Sequence, residues 1–356
     1  MITRPPIASY FDASHVQHEW RESLALGVRY VGHQLMVPDV NDYIVPTTHD
    51  ERYVMFNRGT GYDIVSNVCL HRQARLLTGS GNSRVMTCKL HSWAYGMDGK
   101  LRSTPRFTGD PPGDLARRSL TEWNGLLFDG RPPDFDLHAE GLDEFLSFDG
   151  YFYAGTQSTS YDYNWKTFSE IYLDNYHVPA VHRGLNKYIN IDDVSWGVGD
   201  DYSVQWVGLT GDITKAGSPA FADWQKAISR QQGGNLPKYG ALWIYIYPNI
   251  MIEWYPHVKL ISTVYPVGPE HCVNHVEYFY PRALHDVDPD YFAVAERWQA
   301  ELAEEDADAC RLQSHGRRAL FANGENENGP TDPLLEHGVE EFYRFLSPIY
   351  QHKGLL

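Results

Sequence analysis

Short runs of β-branched and aromatic residues, separated by Gly, Asn, Asp and Pro, fill the segment from Val28 to about Gly130. These runs are RYVGHQL, RYVMFNR, YDIVSNV, RVMTCKL and GLLFDG. Strands of this length, interrupted by turn-forming residues, are typical of a small sheet or barrel. The pattern therefore predicts an all-β domain in the first part of the chain.

A polar, Pro-containing segment, RPPDFDLHAEG, follows from Arg131 to Gly141. Its composition suits a connection between domains better than a core element. A chain of 356 residues is long enough for two ordinary domains. We therefore expect one domain over residues 1–150 and a second over residues 151–356.

The second domain combines helical and extended patterns. Helical patterns run from Trp165 to Tyr176 and from about Pro289 to Leu320. Extended aromatic runs, such as ALWIYIY and CVNHVEYFY, occupy residues 240–265 and 272–280. These patterns predict an α+β fold in which helices pack on an antiparallel sheet.

Composition narrows the possible partners and locations. The net charge of −16 argues against nucleic acid or an anionic membrane as a partner, because both attract basic surfaces. The N-terminus, MITRPPIASYFD, has no basic start followed by an apolar run, and no stretch approaches the roughly 18 apolar residues of a membrane helix. We therefore expect a soluble cytoplasmic protein. Its four cysteines are too few for a disulfide scaffold of this length.

Two cysteine–histidine pairs form the first candidate metal site. Cys69 and His71 are separated by one residue, and Cys88 and His91 by two. Structural zinc usually takes two cysteines from one loop and two histidines from another, whereas each loop here supplies one of each. Mixed loops fit a Rieske 2Fe-2S cluster better, in which two cysteines bind one iron and two histidines bind the other. Zinc and the absence of any metal remain the alternatives.

The second candidate site lies in NWKTFSEIYLDNYHVPAVHRGL. Asp174 and His177 are three residues apart and share a helical face, and His182 follows five residues later. Pro179 disfavours helical geometry at Val178, so we expect a break there that lets both imidazoles converge. Two histidines with one carboxylate would bind Fe(II) and leave positions open for dioxygen.

The missing carboxylate is expected in EEDADACRLQSHGRR. Asp306, Cys310 and Gln313 lie on one face of the predicted helix, and Asp306 is the candidate ligand. The alternative is a solvated acidic face. We expect that face to contain the neighbouring acidic residues Glu301, Glu304, Glu305 and Asp308.

The segments CLHRQARL and CKLHSWAYGMDGKLRSTP resemble the two cluster-binding loops of Rieske oxygenase α subunits, and the likeness covers nearly the whole chain. The family usually shows Cys-x-His-Arg-Gly and Cys-x-Tyr-His-Gly-Trp. Gln73, Leu90 and Ser92 depart from that pattern, while the four ligands and Trp93 match it. Because these departures neighbour the cluster, they bear on its reduction potential rather than on its existence.

The resemblance implies an enzyme with an N-terminal Rieske domain and a helix-grip-like catalytic domain. Its C-terminal helix carries a Glu-Asp-x3-Cys-x2-Gln pattern, which makes Asp306 the third ligand of the mononuclear Fe(II) beside His177 and His182. Asp174 matches the family's bridging carboxylate, which contacts an iron-ligand histidine of its own chain and a Rieske histidine of the next. That histidine would be His91 of the partner subunit.

The resemblance also implies partners. Electrons from NAD(P)H would arrive through a separate reductase, with or without a ferredoxin, and the chain would form a head-to-tail homotrimer. Independently, residues 71–118 contain nine Lys and Arg against three Asp, a net charge of +6 that leaves −22 for the rest of the chain. Such a basic patch would attract an acidic electron donor or an acidic neighbouring subunit.

The segment YLDNYHVPAVHRGL resembles the choline-monooxygenase-like branch of the family. This resemblance implies that dioxygen is used to hydroxylate or oxidatively dealkylate a small substrate, such as an amine or a quaternary ammonium compound. Oxidation of an aromatic acid or another aromatic ring is the alternative reaction. An electron carrier and a structural zinc protein are the non-enzyme alternatives.

Overall fold

The computed structural model describes residues 3–47, 52–210, 216–231, 237–288 and 290–351. The chain forms two compact units. The small unit comprises residues 28–133, and the large unit comprises residues 1–27 and 134–356. In the described part of the chain, no helix combines the length and the apolar character that crossing a membrane would require.

This division differs from the expected one at residue 150, because the chain begins in the large unit. Helix α1, Ala13–Leu26, precedes the small unit and carries the buried residue Glu19. The Glu19 carboxylate accepts a hydrogen bond from the buried Nζ of Lys166 at 2.8 Å. A buried charge needs its partner, so these contacts make α1 part of the large unit's core.

The small unit has the predicted β structure, and its strands pair antiparallel. Their order is β1-β11-β10 in one sheet, β5-β2-β3-β4-β9 in a second and β6-β7-β8 in a third. The strands are β1 Tyr30–His33, β2 Asp42–Ile44, β3 Tyr53–Asn57, β4 Tyr62–Ser66, β5 Ser80–Asn82, β6 Val85–Thr87, β7 Ala94–Gly96, β8 Leu101–Ser103, β9 Arg117–Ser119, β10 Thr121–Trp123 and β11 Leu126–Phe128.

Strand β3 separates two hydrophobic clusters of the small unit. Alternate residues of a strand point to opposite faces of the sheet. Val54 and Phe56 therefore join the cluster that contains Cys69 and Cys88, whereas Met55 joins the cluster on the other face. The cysteine loops are thus anchored on one face of a sheet that is buried on both sides.

A seven-stranded antiparallel sheet organises the large unit, in the order β12-β18-β17-β16-β15-β14-β13. Consecutive strands from β13 to β18 are neighbours, and β12 pairs with β18 at the edge. The strands are β12 Tyr151–Tyr161, β13 Ile189–Val198, β14 Tyr202–Leu209, β15 Ala241–Ile246, β16 Ile250–Tyr255, β17 Val258–Gly268 and β18 His271–Pro281.

The remaining α-helices of the large unit, among the described residues, are α2 Asp143–Leu146, α3 Trp165–Tyr172, α4 Val178–Val181, α5 Pro219–Gln231, α6 Arg282–Val287, α7 Tyr291–Ala322 and α8 His337–Gln351. Helix α3 ends four residues before the expected boundary at Tyr176. Helix α7 covers the predicted helix, although Pro289, its expected start, lies outside the described residues. The predicted α+β architecture is confirmed.

A buried charge network joins three of these helices. Glu170 of α3 forms an ion pair with Arg317 of α7 at 2.6 Å, and both side chains are buried. The Tyr343 hydroxyl of α8 donates a hydrogen bond to the same carboxylate at 3.1 Å. These contacts fix α3 against α7. The candidate iron ligands lie in the segment that follows α3 and in α7 itself.

Candidate active site

The segment that connects α3 to β13 carries two of the predicted metal ligands. The Asn164 side chain caps α3, which ends at Tyr172. The Asp174 carboxylate then accepts hydrogen bonds from the backbone N–H groups of Tyr176 and His177 at 2.5 and 3.2 Å. An aspartate that binds the backbone two and three residues ahead forms a turn, so Asp174 directs the chain from α3 into α4.

Helix α4 is a single turn with His177 at its N-cap and His182 at its C-cap. The expected break at Val178 does not occur, because Pro179 lies in the first turn of α4, where its missing N–H is not needed. The helix ends instead at His182, with φ of −96° and ψ of 83°. The two imidazole rings converge, and their centroids lie 4.9 Å apart.

Asp306 of α7 completes a cluster with these histidines. The Nε2 atoms of His177 and His182 are 2.9 Å apart. Asp306 Oδ1 lies 2.9 Å from His182 Nε2 and 3.4 Å from His177 Nε2. Among the described residues, these three side chains are the ones whose ligand atoms, all within 4.8 Å of one another, could bind a metal ion. Their composition is the 2-His-1-carboxylate set of non-haem iron oxygenases.

A second carboxylate approaches the far side of each imidazole. Asp174 Oδ2 lies 3.4 Å from His177 Nδ1, and Glu305 Oε2 lies 2.9 Å from His182 Nδ1. Carboxylates in this position fix the tautomer and orientation of a metal-binding histidine. Glu305 was expected on a solvated helix face, whereas its carboxylate contacts the buried ring of His182. Its position directly before Asp306 was the available signal.

The electrostatics of the cluster favour positive charge. Burial lowers the pKa of His177, but hydrogen bonds from its ring to Asp174 and Asp306 more than compensate and raise it to about 10. Burial raises the pKa of Asp306, but the two imidazoles more than compensate and keep it below its ordinary value. A site that stabilises cationic imidazoles around a carboxylate fits a metal cation that replaces those protons.

A cavity of about 170 Å³ opens beside the three residues and has two walls. The sheet wall includes Trp243 of β15, Glu253 and Tyr255 of β16, and Tyr278 of β18. The helical wall contains the cluster of His177, His182 and Asp306, together with Tyr172 and Trp298. A small molecule in this cavity therefore lies between an aromatic sheet face and the candidate metal site.

Apart from the two histidines of the candidate metal site, the charged side chains that line the cavity are acidic. Asp174, Glu253, Glu296 and Asp306 line it, whereas its described lining contains neither Lys nor Arg. Such a pocket attracts a cation and lacks the counter-ion that a carboxylate substrate would need.

In the small unit, the two candidate cluster loops have the same backbone construction. The first follows β4, and the second connects β6 to β7. The Cys69 N–H donates to Ala74 O at 2.9 Å, and the Cys88 N–H donates to Trp93 O at 2.8 Å. Each cysteine is therefore bonded to the residue five positions later, and two equivalent loops result.

The residue four positions after each cysteine has a left-handed backbone. The φ angle is 55° at Gln73 and 60° at Ser92, and each N–H donates to the carbonyl of its own loop's cysteine. Glycine adopts this conformation most easily. The two glycines of the family pattern are thus replaced here without loss of the loop geometry.

The cysteines are buried, and the histidines reach the surface. Cys69 and Cys88 are 1% and 2% exposed, whereas His71 is half-buried and His91 is exposed. The two imidazole centroids lie 4.6 Å apart, and the ring of Trp93 stacks on His71 at 4.9 Å. This arrangement fits a cluster whose cysteine-bound iron faces the core and whose histidine-bound iron faces the surface.

Tyr95 lies directly behind the cysteines. Its hydroxyl lies 3.6 Å from Cys69 Sγ and accepts a hydrogen bond from the Leu70 N–H at 3.2 Å. Burial raises the pKa of Tyr95, and the hydrogen bond to Cys69 adds to that effect. The hydroxyl therefore remains a proton donor toward the sulfur, a contact that the sequence analysis missed.

The surface around the loops is basic and partly apolar. Leu90 and Phe107 are 58% and 37% exposed, and the Phe107 ring lies 5.7 Å from that of His71. The exposed basic side chains of this surface are Arg72, Arg75, Lys89, Arg102 and Arg106. The positive charge predicted from the sequence is thus exposed beside the candidate cluster ligands.

Comparisons with known proteins find family matches in both parts of the chain. Residues 148–352 match the family described as ring hydroxylating alpha subunit (catalytic domain), and residues 21–115 match the Rieske [2Fe-2S] domain. The putrescine 2-hydroxylase of Ralstonia nicotianae is 39% identical over 96% of this chain and 94% of its own length. The putrescine 2-hydroxylase of Bordetella bronchiseptica is 33% identical over 96% of this chain and 84% of its own length.

A solved structure shows the same fold. The quaternary ammonium Rieske monooxygenase in complex with L-carnitine superposes with a TM-score of 0.77 and 18% identity, over 98% of this chain and 96% of that one. With the matching domains and relatives, this chain belongs to the Rieske non-haem iron oxygenases, as an α subunit with a Rieske 2Fe-2S domain and a mononuclear-iron catalytic domain.

Proposed function

We propose that this oxygenase hydroxylates a carbon atom of a small aliphatic amine. The observation that carries the proposal is the acidic and aromatic cavity beside His177, His182 and Asp306, which lacks Lys and Arg in its described lining. An ammonium group is complementary to such a cavity through charge and cation–π contacts. Relatives that are named putrescine 2-hydroxylase and align along nearly the whole chain support the same substrate class.

The reaction is a monooxygenation. A C–H bond of the substrate breaks and a C–O bond forms, with one oxygen atom of dioxygen entering the product and the other leaving as water. Two electrons and two protons are consumed for each product. When the hydroxyl lies on a carbon that is not attached to nitrogen, the product is stable and no aldehyde is released.

The two units contain different sets of metal-binding residues. His177, His182 and Asp306 bind the mononuclear iron, and Cys69, His71, Cys88 and His91 bind the cluster. The bound iron supplies dioxygen activation, and the cluster supplies electrons one at a time. Asp174 and Glu305 orient the two iron-binding imidazoles, and the aromatic walls exclude water from the reacting carbon.

Electrons enter from NAD(P)H through a separate reductase, either directly or through a ferredoxin. A homotrimer brings the cluster of one subunit to the iron of the next, with Asp174 as the link to His91 of the partner subunit. Two features support this assembly: His91 is exposed, and Asp174 is only half-buried beside Tyr176, which is 64% exposed. The basic surface around the cluster suits an acidic donor or an acidic neighbouring subunit.

Oxidation of an aromatic acid is the competing function. An aromatic carboxylate would require a cationic partner, and no Lys or Arg belongs to the described lining of the cavity. The acidic lining therefore favours the amine.

The test is turnover of the iron-loaded enzyme with a reductase and NADH, with putrescine, choline, carnitine and benzoate as substrates. We expect oxygen uptake coupled to an amine product that contains one added oxygen atom, without formaldehyde. His177→Ala should abolish the product while the visible spectrum of the cluster persists. Turnover of benzoate alone would refute the proposal.

A further inference from the structure

Glu253 is a carboxylate on the sheet wall of the cavity and is separate from the metal-binding cluster. Alternate residues of β16 share a face, so Met251, Glu253 and Tyr255 all line the cavity. In the sheet register, Glu253 lies opposite Trp243 of β15 and Leu260 of β17, which also line it. An acidic side chain therefore occupies the middle of an aromatic and aliphatic strip.

Two aromatic side chains of the sheet wall, Trp243 and Tyr255, neighbour this carboxylate. The Trp243 Nε1–H donates to the Tyr255 hydroxyl at 2.8 Å, and the interaction of that hydroxyl with Glu253 acts against burial to lower the pKa of the carboxyl group. The hydrogen bond from Trp243 restrains the Tyr255 hydroxyl beside the carboxylate. The rest of the carboxylate's hydrogen-bonding capacity is available toward the cavity, since a carboxylate accepts about four hydrogen bonds.

No Lys or Arg in the described part of the chain forms an ion pair with Glu253. Burial raises its pKa to about 7, with the Tyr255 hydrogen bond opposing and the charge of Asp306 supporting the shift. A carboxylate in an apolar pocket without a cationic partner is unfavourable for the folded protein. Such arrangements are concentrated at functional sites, where a ligand supplies the missing charge.

We propose that Glu253 is the specificity-determining residue that binds a primary ammonium group of the substrate. This inference rests on the proposed function, and it narrows the substrate class from amines in general to aliphatic amines with a primary amino group. The carboxylate accepts hydrogen bonds from the ammonium N–H groups, while the faces of Trp243 and Tyr255 contact the cation. Since Glu253 is on the sheet wall and the triad is on the helical wall, the alkyl chain extends from one to the other.

A quaternary ammonium group fits this site less well. It carries positive charge but has no N–H donor, so the oxygens of Glu253 would lose water without gaining hydrogen bonds. The site therefore binds a primary ammonium group more tightly than a quaternary one, because the quaternary group leaves the oxygens of Glu253 without hydrogen bonds. Charge alone does not make this distinction.

Equilibrium binding to the oxidised, iron-loaded holoenzyme tests this proposal without turnover, because no reductase is present. Calorimetric titrations with putrescine and with its fully N-methylated analogue would compare wild type, Glu253→Gln and Glu253→Asp. Glu304→Gln, at an exposed position of α7 outside the cavity lining, is the matched control. Iron content and the cluster spectrum verify that each variant is folded and loaded.

We expect Glu253→Gln to weaken putrescine binding by about 30-fold or more, since loss of a buried charged hydrogen-bond partner costs at least about 2 kcal/mol. The N-methylated analogue should lose less affinity, Glu253→Asp should retain part of it, and Glu304→Gln should match wild type. Equal weakening for both ligands would refute recognition of the N–H groups. Unchanged putrescine affinity in Glu253→Gln would refute the role of Glu253. Amine turnover by the wild type would in that case still support the proposed function. Failure of the wild type to bind or oxidise any amine would refute the proposed function itself.

Discussion

Glu305 Oε2 lies 2.9 Å from Nδ1 of His182, while the next residue along α7, Asp306, lies 2.9 Å from Nε2 of the same ring. Two consecutive carboxylates thus contact the two nitrogens of one imidazole. One of them is the proposed iron ligand, and the other fixes the ring that binds the iron. A single helix therefore supplies one proposed iron ligand, Asp306, and also orients a second, His182, through Glu305.

Glu305→Ala should therefore weaken iron binding by about 10- to 100-fold, as expected for a carboxylate that orients a metal-binding histidine. Iron retained during dialysis against a graded series of chelator concentrations measures the effect. Glu304→Ala changes a neighbouring, exposed carboxylate of the same helix and should retain iron like the wild type. Equal iron retention in both variants would remove Glu305 from the site.

Asp174→Asn should leave both metal sites loaded and yet reduce turnover by orders of magnitude. The substitution keeps the size of the side chain but removes the charge that pairs with His177 Nδ1 and is proposed to reach the next subunit. In a single-turnover experiment, the pre-reduced cluster should fail to reoxidise promptly when substrate and dioxygen are added. Reoxidation at the wild-type rate would show that Asp174 is not the link.

Tyr95→Phe should lower the reduction potential of the cluster by tens of millivolts. The Tyr95 hydroxyl donates toward Cys69 Sγ, and a hydrogen bond to a cluster sulfur stabilises the reduced state. A net hydrogen bond of about 1 kcal/mol corresponds to a one-electron shift of that order. Redox titration followed by electron paramagnetic resonance measures the potential, with Tyr43→Phe in the same unit as the control. An unchanged potential would show that the hydroxyl does not act on the cluster.

Glu253→Gln should stabilise the substrate-free enzyme at neutral and alkaline pH. Because burial raises the pKa of Glu253 from 4.5 to about 7, the folded state binds a proton more tightly than the unfolded state does. The wild type therefore loses stability as pH rises from about 4.5 to about 7, and the variant does not. The difference should reach at most about 3 kcal/mol above pH 7.

Thermal unfolding between pH 5 and pH 9 checks this pH dependence, with Glu304→Gln as the control. The titratable or charged groups that line the same cavity are Tyr161, Tyr163, Tyr172, Asp174, His177, His182, Tyr255, Tyr278, Glu296, Asp306 and Cys310. Their contributions are common to wild type and variant, so the difference between the two curves reports on Glu253. A difference that is independent of pH would contradict the prediction.

Charge reversal at Arg72 and Lys89 should slow cluster reduction by the physiological donor by about tenfold at low salt, if that donor is acidic. Both side chains are exposed beside the cluster ligands. Stopped-flow reduction at increasing ionic strength should show the deficit shrinking, because salt screens the attraction. Lys226→Glu changes an exposed charge on α5 and should not slow reduction. Unchanged kinetics at low salt would assign the basic surface to another role.

The sequence predicted those features whose residues lie close together along the chain. The candidate cluster loops were recognisable because the cysteine and histidine of each loop are separated by one or two residues. The short-range turn at Asp174 likewise places His177 three residues away. Asp306 was identified from its helical face and, above all, from its resemblance to the family's helix pattern, since little else distinguishes it from the other acidic residues of α7.

Long-range contacts explain what the sequence analysis missed. Glu253 occurs in IMIEWY, where its neighbours alone would also suit a strand with one solvated face, and its burial comes from the opposite helical wall. The division into compact units differs from a split at residue 150 because α1 is joined to the large unit through Glu19 and Lys166, which are 147 residues apart. Interactions across such separations leave no periodic signal in the chain.

The two ends of the small unit meet. Strand β1 pairs with β11, and the Asp129 N–H donates to Arg29 O at 2.9 Å. A unit whose first and last strands are hydrogen-bonded to each other is closed on itself, as an inserted module is. Residues 28–133 could therefore be expressed alone as a closed, self-contained electron-transfer cassette, and exchanged as one piece for the equivalent cassette of a relative.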